Sequence, residues 1–290
     1  MFLEQLINGL TTGSIYAMVA LGYTLVFGVL GIINMAHGEI FMFGAFMGVV
    51  ITTTFGLPLW LAFLVAAIVT GIMGYLLELL ALRPLRKSSE SSHLAPLIST
   101  IGVSIFLENA ADQYFGSGNH PVESGWLDTS FTIGSVTIYT VQLVIFFIAI
   151  ALMIGLSYWL LKTKGGKALR ATAEDLDTAS LLGVNTKRMI TATVVLASVI
   201  GGIAGILVGM AFSSVNPQMG LAIGLKGLAI IILGGMGSVK GAVVGGMILG
   251  LSETVIVAIG LSGYRDAIAF VMIIIILLLR PQGLFGKKTA

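Results

Sequence analysis

The chain has no cysteine. Disulfides and thiolate metal sites are therefore excluded. It is poor in charge as well: 10% of its residues are Asp, Glu, Lys or Arg, where a soluble domain carries about 25%. No Gly-x-x-x-x-Gly-Lys-Ser/Thr sequence occurs, so any ATP used is hydrolysed on another chain. No cluster of metal-ligating residues and no nucleophile–base constellation is visible, which argues against a membrane enzyme and against a bound cofactor. The basic residues are scattered over several short segments, so there is no nucleic-acid footprint. Met1-Phe2-Leu3-Glu4-Gln5 lacks the basic start that a cleavable signal needs.

What is abundant is apolar. Hydrophobic residues make up 57% of the chain, and the mean hydropathy is +1.05. This composition is that of an integral membrane protein. There are 38 glycines among 290 residues, well above the usual share of about 7%. Glycine lets membrane helices pack backbone to backbone, so the expected fold is an all-α polytopic bundle occupying 1–290 as one domain. Transporters and channels are built this way more often than simple anchors.

A span needs about 20 apolar residues. The first candidate, 6–33, carries Asn8, Thr11, Thr12, Ser14, Tyr16, Tyr23 and Thr24. Polar groups in such number predict a helix facing other helices or a cavity. Thr12, Ser14, Tyr16 and Tyr23 are candidate pathway residues. A polar knot follows, with Asn34, His37 and Glu39. It reads either as a solvated turn or as a gate at the inner end of the pathway. Further spans are expected at 40–55, 59–82, 95–115, 137–161, 190–212, 221–233, 242–259 and 267–279. That makes about nine crossings, or eight if 221–241 is re-entrant. Gly201, Gly205 and Gly209 form a helix-packing ridge, and Gly234, Gly235, Gly237 and Gly241 a breaker-rich hinge that is also read as a packing device. Glu108 and Asp112 share one helix face. Lys226 and Glu253 are the charges furthest from a loop, and mutual pairing is the default reading.

All Lys and Arg except Lys226 and Arg265 fall in loops that can be placed on one side. By the positive-inside rule that side is cytoplasmic, with the N-terminus outside and the C-terminus inside. Its largest polar segment is 162–189. Within it Leu169, Ala173, Leu176 and Ala179 recur at helical spacing, predicting one short amphipathic helix. Leu182-Gly183 reads as its stop, and Asn185 or Thr186 as the cap of the next helix. The segment is either a solvated loop on the lipid surface or a handle for a water-soluble partner.

Four motifs in order carry a resemblance: Ile33-Asn34-Met35-Ala36-His37-Gly38-Glu39; Arg170-Ala171-Thr172-Ala173-Glu174-Asp175 followed by Leu182-Gly183; Gly234-Gly235-Met236-Gly237-Ser238; and Arg280-Pro281-Gln282-Gly283-Leu284-Phe285-Gly286. Together they resemble the LivH-type permease subunits of bacterial branched-chain amino acid ABC importers. The resemblance covers essentially the whole chain. It implies no cofactor on this chain, a bacterial inner-membrane location, a LivM-like second permease, two cytoplasmic ATPase subunits that hold the ATP and Mg, and an extracytoplasmic solute-binding protein. It also implies that 165–189 docks into the ATPase, with Arg170, Glu174 and Asp175 at the rim and Leu176, Ala179 and Leu182 in the groove, ending at Gly183. Alternatives are a urea or short-chain amide importer, which shares the knot, and an ion-coupled secondary transporter, for which only Lys226 and Glu253 could serve as a relay.

Overall fold

The structure, a computed structural model, describes residues 2–85, 94–122, 129–133 and 136–286. Arg86, Lys87, the linker 88–93, Glu123, Trp126, Asp128, Lys287 and Lys288 lie outside them. The described residues are mainly helical. In order they form α1 (Phe2–Leu30), α2 (His37–Val49), α3 (Leu59–Leu77), α4 (Leu94–Phe115), β1 (His120–Pro121), β2 (Ser130–Ile133) and β3 (Val136–Tyr139). Then come α5 (Thr140–Lys162), α6 (Lys164–Glu174), α7 (Leu176–Leu181), α8 (Thr186–Phe212), β4 (Ser214–Val215), α9 (Met219–Gly234), α10 (Val239–Ala258) and α11 (Arg265–Leu279). π-Helical turns extend α2 through Val50–Thr54 and α3 through Glu78–Leu82. The strands form two small antiparallel pairs, β1 with β4 and β2 with β3.

Seven of these helices are long and apolar enough to cross a membrane, and α2 and α9 are not among them. The chain is thus a multi-pass membrane protein. Helix α5 runs into α6, which defines one end of the bundle. Glu4 Oε1 accepts the Thr137 N–H at 3.1 Å, so α1 starts at the opposite end, beside β3. The first span's polarity follows from its place. Helix α1 lies at the centre, packed by α5, α8, α9 and α10, and Ile15 to Leu21 is sealed throughout. Thr11, Ser14 and Thr24 are buried with it. Ser14 satisfies its hydroxyl on Leu10 O at 2.7 Å. Apolar residues face outward instead on α3, α4, α5 and α11, among them Trp60, Phe106, Phe147 and Leu278.

Glycine sets the closest helix approaches. A Cβ on Gly205 would strike the backbone of Phe41 and Ala45, and one on Gly44 would strike Gly202. The α8 ridge therefore faces α2 through Gly201, Gly202 and Gly205. Gly209 departs from the expected ridge: it faces Val215 and Val122 in the strand pair.

Three expectations are corrected or refined. The segment 162–189 holds two short helices rather than one. Asp175 ends α6 and caps α7, accepting the Thr178 N–H at 2.6 Å. The apolar spacing runs through this break, which is why the periodicity alone missed it. Second, the 234–241 segment is a strapped turn, with close packing at Gly234 and Gly241. Gly235 (φ 102) and Gly237 (φ 80) turn the chain, and Gly234 and Gly241 meet backbone to backbone. The C-terminal motif then returns: Leu284 N–H and Phe285 N–H donate to Leu233 O and Gly234 O, each at 2.9 Å. The open carbonyls at the α9 terminus are thereby satisfied. Third, the 34–39 knot is no solvated turn: Asn34 is 2% exposed and His37 and Glu39 are 0% exposed.

Candidate functional site

The knot is buried because the chain turns back into the bundle. Helix α1 ends at Leu30, and Gly31 takes a left-handed conformation (φ 65). Residues 31–36 then run without regular structure until α2 begins at His37. Irregular backbone inside a membrane protein must be satisfied by protein groups. Asn34 Oδ1 accepts the Ala36 N–H at 3.2 Å, and Thr100 Oγ1 accepts the Met35 N–H at 3.2 Å.

The first turn of α2 meets the first turn of α9. Gly38 and Glu39 lie on Gly220, and Gly38 also lies on Gly224. Side chains at the two later glycines would enter this crossing. The His37 ring is wedged between α1 and α8, in space left open by Gly22 and Gly201. Tyr23 meets that ring edge-on, with centroids 4.6 Å apart. Ser104 of α4 donates to Glu39 Oε1 at 3.1 Å. Glu108 follows one turn later, half-buried. Asn34, His37, Glu39 and Tyr23 thus come together with α1, α2, α4, α8 and α9 at one level.

A second polar assembly lies toward the opposite end from α6 and α7. Lys226 Nζ of α9 is 2.8 Å from Glu253 Oε1 of α10, so the predicted pairing is present. Sequence reasoning did not foresee the rest. Arg265 Nε donates to Glu253 Oε2 at 2.7 Å, and Lys226 also meets Asp266 at 2.7 Å. Tyr16 OH donates to Glu253 Oε2 at 2.8 Å and accepts from Lys226 at 3.0 Å. Four helices are joined: α1, α9, α10 and α11. The missed signal was the Arg265-Asp266 pair at the start of the last span.

Next to this network is a cavity of about 450 Å³. One wall is polar, with Gln5, Asn8, Thr11, Thr12 and Gln142. The lining also includes apolar Ile145, Met210, Phe212 and Val257, and Arg265. Gln142 Nε2 donates to Asn8 Oδ1 at 2.5 Å, fixing both amides. The candidate pathway residues of α1 therefore separate. Thr12 lines the cavity, Tyr16 serves the ion network, and Tyr23 packs on His37. Ser14 reaches the sulfur of Met247 across α1 and α10.

The 162–189 segment lies at the other end. Thr163 caps α6 by accepting the Gly166 N–H at 3.0 Å. Asn185 caps α8 by accepting the Arg188 N–H at 3.1 Å. Gly183 turns the chain with φ 85. Arg170, Glu174 and Asp175 are on the surface. Leu176 and Leu182 are exposed, but Ala179 is 2% exposed and already covered by this chain. In its place Leu181, absent from the expected contact set, is 86% exposed. The Asp175 carboxyl is held below the ordinary Asp range because it accepts the Thr178 backbone N–H.

A family model described as branched-chain amino acid transport system, permease component, matches residues 5–277. The chain is 39% identical to the high-affinity branched-chain amino acid transport system permease protein BraD of Pseudomonas aeruginosa, over 99% of this chain and 96% of that protein. It is 38% identical to the permease protein LivH of the corresponding Escherichia coli (strain K12) system, again over 99% and 96% of the two chains. Among solved structures, PsaBC from Streptococcus pneumoniae in complex with Fab matches with a TM-score of 0.52, covering 96% of this chain and 92% of that one. Identity there is 16%, so the likeness is one of fold.

Proposed function

Because this chain belongs to the branched-chain amino acid transport system permease family, we propose that it is the membrane-spanning subunit of an ATP-driven importer carrying leucine, isoleucine and valine inward. The observation that carries the reading is the likeness to BraD and LivH at 38–39% identity along nearly the full length. The chain is a transport subunit and not an enzyme.

The α6–α7 end is taken as cytoplasmic, in keeping with its cations. There Leu181 and Leu182, with Leu176 beside them, form an apolar tip on a rim that carries Arg170, Glu174 and Asp175. Such a tip fits the groove of an ATPase subunit. Two ATPases, a LivM-like second permease and an extracytoplasmic binding protein complete the assembly, in the bacterial inner membrane. The level at Asn34, His37 and Glu39 acts as a structural lock, because its residues are sealed and join five helices.

The test is reconstitution. The full chain, co-expressed with candidate ATPase and permease subunits, is placed in proteoliposomes with ATP inside and binding protein outside. Uptake of labelled leucine that requires both ATP and this chain supports the reading. Uptake of urea or an amide in preference to leucine overturns its substrate class, and uptake driven by an ion gradient without ATP overturns its energy source.

A further inference from the structure

The two cations of the ion network share one buried carboxylate. Glu253 is 1% exposed and receives two cations, Lys226 at 2.8 Å and Arg265 at 2.7 Å. Asp266, the remaining acid, attends Lys226 and is 80% exposed. Arg265 therefore shares its carboxylate, and it is the member that borders the cavity, with 31% of its side chain exposed. A guanidinium has five N–H donors, and the one on Nε is committed to Glu253. The cavity wall thus carries a guanidinium whose partner carboxylate, Glu253, is shared with Lys226. The α1 residues of the lining offer uncharged amide and hydroxyl oxygens, and Met210, Phe212 and Val257 add apolar surface. A volume of about 450 Å³ falls within the range of small-molecule sites.

We propose that this cavity receives the transported amino acid, with its α-carboxylate on Arg265, its ammonium group on the oxygens of Asn8 and Thr12, and its side chain against Met210, Phe212 and Val257. This rests on the reading of the chain as a branched-chain amino acid permease. The arrangement selects by charge: a second carboxylate or ammonium on the side chain would meet Met210 and Phe212 without a partner, at the cost of desolvation. Arg265 is a specificity residue because a hydrogen bond to a charged group, once removed, weakens binding by roughly tenfold or more.

The experiment uses the full chain in its assembled transporter, in nanodiscs, without binding protein. Photo-leucine is the probe, and labelled peptides are mapped by mass spectrometry after illumination. Labelling is expected in 141–145, 210–213 or 254–257. Leucine competes and leucinamide, which lacks the carboxylate, competes at least tenfold less well. Arg265→Gln lowers labelling about tenfold and abolishes the preference for leucine over leucinamide, and Arg265→Lys retains part of both. Thr12→Val lies outside the ion network, so it serves if Arg265→Gln fails to assemble. It is expected to lower labelling while keeping the carboxylate preference. Labelling confined to other segments, equal competition by leucine and leucinamide, or labelling unchanged in both variants overturns the assignment. The same purified complex, reconstituted in proteoliposomes with ATP inside and binding protein outside, is assayed for leucine uptake. Wild-type uptake with failed labelling overturns this site alone, whereas no leucine uptake overturns the permease reading itself.

Discussion

Glu253→Gln should be the most damaging single change in the ion network, and the reason is its position among the charges. The carboxylate is 1% exposed and takes three donors at 2.7–2.8 Å, from Lys226, Arg265 and Tyr16. Neutralising it leaves Lys226 and Arg265 facing one another in a poorly hydrated place. Breaking a buried pair by removing one partner costs about 3–5 kcal/mol. Lys226→Met is milder, because Glu253 keeps Arg265 and Tyr16, while Asp266, at 80% exposure, is covered by water. Its cost is set at about 1–3 kcal/mol, that of a charged hydrogen bond left unmade. The double variant should be more stable than Glu253→Gln alone, since it removes one of the two cations that have lost Glu253. A coupling of roughly 0.5–3 kcal/mol is expected for groups in direct contact. The assay is the apparent melting temperature of the full chain in nanodiscs. For 150–250 residues each kcal/mol moves it by about 2–4 °C, so Glu253→Gln should melt roughly 6–20 °C lower. Should Glu253→Gln melt within 2 °C of wild type, or the double variant melt no higher than Glu253→Gln, the network is not what joins α9, α10 and α11 to α1.

Gly205→Ala should destabilise by about 1–3 kcal/mol, because its Cβ meets the Phe41 and Ala45 backbone, while Gly155→Ala, with nothing within 4 Å of the new atom, should melt at or above wild type. Leu181→Asp should leave melting unchanged and strip the ATPase subunit from the purified complex; full co-elution of that subunit would show that the α7 tip is not the contact. The cap at Asp175 has a pH signature. Its folded pKa is depressed, so its stabilisation is present above the unfolded carboxylate value and lost as pH falls through the lower folded value. Proteolysis of the α6–α7 segment should therefore increase on acidification below about pH 4, an increase that Asp175→Asn should blunt and that Asp175→Ala should replace with susceptibility at every pH.

Much of this architecture was legible because its causes are local. A helix in lipid needs a long apolar run, a cap needs a short polar side chain, and a close helix crossing needs glycine. Asn185, Gly183 and the Gly201/Gly205 pair were therefore readable one by one. The knot was left between two readings because depth in a bilayer is not a local property. Asn34, His37 and Glu39 interrupt an apolar run, and an interruption looks the same whether the chain leaves the membrane or folds back inside it. What distinguishes the cases is the space left by Gly22, Gly201 and Gly220 on three other helices. Arg265 and Asp266 were passed over for the same reason. Only the packing of α11 beside α9 and α10 reveals that they complete a network begun by Lys226 and Glu253. The strap formed by Leu284 and Phe285 likewise depends on a chain end meeting a turn some 50 residues earlier.

These elements define how a push at one end can reach a cavity at the other. Helix α8 has 27 residues, so it is a rod of about 40 Å. Asn185 caps its first turn directly after the α7 tip. Its last residues, Met210 and Phe212, are the apolar wall of the cavity, and the Phe212 ring lies 5.2 Å from the Arg265 guanidinium. Around this rod the contacts fall into two kinds. The ion network binds α1, α9, α10 and α11 by charge, which resists sliding. The α2 and α3 helices touch α8 through Gly44, Gly202, Gly205 and Thr70, surfaces without long side chains to interlock. A displacement of α7 would reach the cavity rim through α8, and it would have to work against the sealed level at Asn34, His37 and Glu39, which ties α8 and α2 to α1 and α9.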